Sequence, residues 1–145
     1  MTEKVYTDYF YDEADFDKNH FRYKNLHIPD GIEAQPLAVP PVLKPDKEEG
    51  NDVWFTIESM EGETPFLPGS KTKTWGYNAP FLGQTMVLKT GQHVHVTLKN
   101  SLKELTTYHW HGMEVPGPYI DGSCHAPVYP GEEKEIEFTV EQPAA

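Results

Sequence analysis

From residue 53 onward, apolar and polar positions alternate in short bursts. Val53, Phe55 and Ile57 face one way and Trp54, Thr56 and Glu58 the other, which is the period of a half-buried strand. Val94, Val96 and Leu98 repeat the pattern, and Glu135–Val140 (EIEFTV) repeats it again. Lys71–Tyr77, Thr85–Lys89 and Leu105–His111 read as further strands, with turns at Asn78-Ala79-Pro80, Thr90-Gly91 and Asn100-Ser101. Short strands punctuated by regular turn signals predict an all-β fold, an antiparallel Greek-key sandwich or barrel. No internal repeat and no second domain emerge from the pattern.

The alternation is absent from residues 1–51. The first twenty residues are polar, acidic and rich in tyrosine. The stretch PLAVPPVLKPDKEEG has prolines spaced too closely for a regular helix, so it predicts an extended arm laid over the following domain. Leu37, Val39, Val42 and Leu43 are its expected anchors. The chain therefore divides into an N-terminal arm, residues 1–51, and a β domain, residues 52–145.

Composition narrows the function. A chain of 145 residues with 37% hydrophobic and 12% aromatic residues holds one domain with a modest core. Its formal charge of -11 repels nucleic acid and anionic membranes, so neither is an expected partner. No apolar run is long enough to span a bilayer, and the acidic start has none of the features of an export signal. A soluble, cytoplasmic protein is expected. The single cysteine, Cys124, excludes a disulfide within the chain.

Candidate chemistry lies in TTYHWHGMEVPGPYIDG, residues 106–122. On a strand, residues i and i+2 share a face about 6.5–7 Å apart at Cα. His109 and His111 can then aim at one metal ion or at two neighbours, while Trp110 turns into packing and Gly112 lets the chain swing away. Imidazole suits copper, zinc, iron and nickel, so the ligand type alone leaves the metal open. His93-Val94-His95 has the same spacing, but there the buried face belongs to Val94, Val96 and Leu98. His93 and His95 are expected to face solvent without function.

The ordered motifs W-G-Y-N, Thr-Gly, V-x-V-x-L ending in Asn, H-W-H-G, V-P-G, D-G, P-G and Q-P-A resemble those of the first cupredoxin domain of multicopper oxidases. This family includes laccases, bilirubin oxidases and bacterial cuprous oxidases. The resemblance covers Val53–Ala145 well and the proline-rich arm loosely. It implies a cupredoxin-like Greek-key β-sandwich and copper as cofactor. It also implies an enzyme that couples one-electron oxidation of a substrate to four-electron reduction of O₂ to water.

Within that resemblance, His109 corresponds to a type 2 copper ligand and His111 to a type 3 ligand of a trinuclear cluster. Asp121 corresponds to an acidic residue that helps deliver protons, although Asp-Gly is also an ordinary turn pair. The blue copper and the other His-x-His pairs would lie beyond Ala145, in the remainder of the oxidase chain. The sandwich is thus expected to be incomplete at its C-terminal end, and this chain alone to be inactive. The alternative is a copper-free cupredoxin-like relative with a structural role in cell division. A stand-alone electron carrier is disfavoured, because Cys124 has only His125 beside it and an inert loop thiol is expected.

Overall fold

Strand β2 organises the molecule. In the computed structural model, which describes residues 39–67 and 69–143, β2 (Asp52–Thr64) is flanked by β1 (Lys47–Glu49), β3 (Thr72–Tyr77) and β4 (His93–Asn100). β5 (Glu133–Thr139) pairs with β4, giving the order β1-β2-β4-β5 with β3 also on β2. The first half of β2 runs parallel to β4, from Asp52 opposite His93 to Ser59 opposite Asn100, whereas its second half pairs antiparallel with β3. The sheet is mixed, not purely antiparallel as the period-2 pattern suggested. Alternation reports which face a residue takes but carries no information on strand direction.

The alternation itself is reproduced. Val53, Phe55, Val94, Val96, Leu98, Ile136 and Phe138 line one face and are buried, each contributing about 1.5–3 kcal/mol. Their alternate neighbours, including His93, His95 and Glu137, occupy the opposite face. The buried face is covered by Tyr108, Val128 and Val140, with Leu43, Met86 and Trp110 packed against them.

That covering layer is where the expected strands are missing. Thr85–Lys89 and Leu105–His111 each form a single bridge, Val42 to Thr85 and Thr106 to Val128. Proline explains why neither becomes a ladder. Val42 lies between Pro41 and Pro45, which cannot donate the next bonds of the parallel pairing on either side. Pro130 cannot donate the bond that would extend the Thr106–Val128 pairing toward Glu104. The arm's expected anchors divide similarly. Leu43 packs on the core, Val39 and Val42 are exposed, and Leu37 lies outside the described residues.

Asn100 ends β4 and fixes how the covering layer departs. It is buried, its amide NH₂ donates to the carbonyls of Glu104 and Val128 at 2.8 Å each, and its Oδ1 accepts from the Leu102 N–H at 2.9 Å. One side chain thereby holds both stems of the segment that carries His109 and His111.

Candidate metal centre

The two stems are also joined by reciprocal backbone bonds between Thr106 and Val128, at 3.1 and 2.9 Å. Tyr108 then turns inward. Its hydroxyl oxygen accepts from the Ser59 N–H at 3.1 Å and lies 2.5 Å from the Lys99 carbonyl. Burial raises the phenol's pKa, with the Ser59 hydrogen bonds opposing that shift. With Tyr108 seated in the core, alternation sends His109 outward and Trp110 back in, against Phe138 at 5.3 Å between ring centroids. The indole N–H donates to the Ile120 carbonyl at 3.1 Å.

His109 and His111 are both exposed and stand side by side, ring centroids 5.4 Å apart and planes at 84°. Met113 N–H bonds back to the Trp110 carbonyl at 2.9 Å, closing a tight turn in which Gly112 adopts φ +81°. The left-handed conformation is open to glycine at no steric cost, and it takes the chain away directly after the second imidazole.

Asp121 meets this pair from across the loop. Its Oδ1 accepts from the Trp110 N–H at 2.9 Å and lies 2.9 Å from His109 Nδ1. The Trp110 amide, seconded by the His109 side chain, holds the Asp121 carboxyl below its ordinary pKa despite some desolvation. An ionised Asp121 can only accept, so Nδ1 of His109 is the donor. In the neutral imidazole, the form that can bind a metal, Nε2 then carries the lone pair, directed away from the carboxylate. This carboxylate–imidazole pairing is the usual outer support of a metal-ligating histidine.

Gly122 makes the approach of Asp121 possible. It is buried with φ +61°, and a Cβ there would lie 2.7 Å from the Tyr108 carbonyl oxygen. Asp-Gly is therefore more than a turn pair at this place: the glycine lets the backbone close on Tyr108, which brings the carboxylate to the next residue's ring.

A further support was not apparent from the sequence. Gln142 donates from Nε2 to the Gly112 carbonyl at 2.7 Å and accepts at Oε1 from the Glu114 N–H at 2.5 Å. Its amide pins the chain on both sides of Met113. The Q-P-A motif was visible in the sequence, but nothing there shows that its first residue reaches back thirty positions. Beside His109 lies a pocket of about 160 Å³, walled largely by Leu43, Ile57, Tyr77, Met86 and Tyr108.

Two imidazoles, one of them oriented by a carboxylate, suit copper or another late first-row ion. Among the described residues no third ligating side chain joins them; the one grouping of three that could hold an ion is Asp52, His93 and His95. Cys124 is exposed on a single 3₁₀ turn, Ser123–His125, away from any such grouping among the described residues.

Comparison with known proteins places these features. Residues 59–145 match the family model described as multicopper oxidase. The chain is 40% identical over 122 residues to the multicopper oxidase mco of Staphylococcus aureus, covering 84% of this chain and 27% of that protein. It is 56% identical to the laccase from Pediococcus acidilactici Pa5930, whose structure superposes with a TM-score of 0.76 over 78% of this chain and 24% of that one. The cell division protein FtsP of Escherichia coli (strain K12) is 33% identical over 88 residues, 61% of this chain and 18% of that protein. The chain thus spans about a quarter of the length of the oxidases it matches. With a cupredoxin-type strand arrangement, a paired-imidazole loop and these relatives, the chain belongs to the multicopper oxidase family.

Proposed function

We propose that this chain supplies His109 and His111 as copper ligands to an oxidase that reduces O₂ to water with electrons drawn from a reducing substrate. His109 serves as the type 2 ligand and His111 as a type 3 ligand of a trinuclear cluster. Copper, when bound at these residues, would supply the redox chemistry for reduction of O₂. The observation that carries the reading is the contact of Asp121 with both His109 Nδ1 and the Trp110 amide. It fixes one imidazole with Nε2 outward, as a metal ligand requires.

The chain's own residues have defined tasks. Asp121 orients His109 and keeps Nδ1 protonated. As a carboxylate beside the ligands, it is also placed to pass protons to oxygen as it is reduced. Gln142 and Gly112 hold His111 next to His109. The remaining ligands and the electron-entry site belong to the rest of the oxidase.

The test is copper content and O₂ uptake of the full-length oxidase. His109→Ala and His111→Ala should each lower the copper count and abolish O₂ uptake. Full copper and undiminished uptake in both variants would refute the assignment. The similarity to FtsP supports a second reading, a copper-free structural protein. A full-length wild-type chain that takes up no copper would decide for it.

A further inference from the structure

His93 and His95 have a chemistry of their own. On the solvent side of the sheet the register sets Asp52 opposite His93, and His95 between Trp54 and Glu137. His95 Nε2 lies 3.0 Å from Asp52 Oδ1, and its Nδ1 lies 3.5 Å from Glu137 Oε2. His93 Nε2 is 3.8 Å from the same Glu137 oxygen. Ligating atoms of Asp52, His93 and His95 all fall within 4.8 Å of one another.

We infer that Asp52, His93 and His95 form an accessory site for a late first-row divalent cation, with Glu137 on the other ring nitrogen of His95 as an outer support. Three observations support this. The ligand atoms need only small adjustments, because donors on a tetrahedral zinc ion with bonds of about 2.0–2.1 Å sit roughly 3.3 Å apart. His95 is held in place, its ring stacked on Trp54 at 4.5 Å and 5°, and Trp54 is in turn capped by Lys47. Among the described residues, Asp52 and Glu137 pair with no lysine or arginine, so two carboxylates face the imidazoles without a fixed cationic partner. A bound cation would supply that charge. Two imidazoles exclude calcium and magnesium as the preferred ions, and point to zinc, copper, nickel or iron.

Without metal, the same contacts serve as a cross-strand ladder, so the inference must be decided by binding. Zn²⁺ is added to the copper-replete full-length protein, free ion is removed by gel filtration, and both metals are counted. Co²⁺ is added in parallel, and its visible absorption is recorded. We expect one zinc per chain beyond the copper, and a cobalt band typical of nitrogen and oxygen ligands. Loss of an outer partner of a metal ligand usually costs about 10–100-fold in affinity, so Asp52→Asn and His95→Gln should each weaken zinc binding by at least ~10-fold. Thr97→Ala, on the same face, should leave it unchanged. Far-UV circular dichroism verifies folding, and should His95→Gln misfold, the near-isosteric Asp52→Asn at a half-buried position suffices. No stoichiometric zinc in the wild type, or binding unchanged in Asp52→Asn, would overturn the site. Neither readout depends on O₂ reduction, so this result stands apart from the proposed oxidase role.

Discussion

Asp121 reaches His109 at 2.9 Å and, with the same oxygen, receives the backbone N–H of Trp110. A single carboxylate oxygen therefore fixes both the ring that would hold metal and the peptide that carries it. Orientation and charge are separable here. Asp121→Asn keeps an oxygen that can accept both bonds but removes the negative charge and the capacity to take up and release a proton. Asp121→Ala removes both bonds. In the full-length oxidase, Asp121→Asn should retain near-normal copper and lose turnover in O₂ reduction, not in substrate oxidation. Asp121→Ala should also weaken copper binding, by about 10–100-fold. Metal analysis beside oxygen-electrode rates checks this, and turnover unchanged in Asp121→Asn would leave the residue an orienting role alone.

Gly122 is the backbone condition for that contact. Alanine at this position would adopt an unfavourable φ and drive its Cβ into the Tyr108 carbonyl. A strained left-handed residue costs of order 1–3 kcal/mol before any clash is counted. Gly122→Ala should lower the thermal midpoint and copper affinity together, whereas Gly50→Ala, where a Cβ meets nothing within 4 Å, should spare the copper. Calorimetry and metal titration of both variants distinguish the close approach from the conformational penalty.

Gln142 tests the support of His111. Its amide bonds the Gly112 carbonyl and the Glu114 N–H, either side of the turn after the second imidazole. Gln142→Leu preserves bulk and removes both bonds, at roughly 1 kcal/mol each. The expected result is a modest loss of stability with a larger loss of copper occupancy at limiting copper. Equal copper uptake by Gln142→Leu and wild type would show that the turn holds its shape unaided.

Much of this was legible in the sequence, for identifiable reasons. The alternation in His93–Asn100 is local, and it correctly separated Val94, Val96 and Leu98 from His93 and His95. H-W-H-G and D-G were visible as motifs, but their 2.9 Å contact depends on Gly122 closing against Tyr108, which no spacing rule conveys. The extended segments 85–89 and 105–111 have strand-like composition, yet prolines in their neighbours limit each to one bridge. Asp52 could not be joined to His93 in advance, because the two meet through a parallel register forty-one residues apart. Expecting no function from His93 and His95 followed from their outward face. A face shared by two imidazoles and two carboxylates is a different matter, and only the register shows it.

The central claim, that His109 and His111 serve oxygen reduction and not electron entry, is tested most directly by a single-turnover experiment on the full-length oxidase. The blue copper is reduced by substrate without oxygen, and its reoxidation is followed after O₂ is admitted. In His109→Ala and His111→Ala, substrate should still bleach the blue absorption at close to the wild-type rate, while its return on mixing with O₂ should be lost. A blue band that recovers with O₂ at the wild-type rate in both variants would contradict the account.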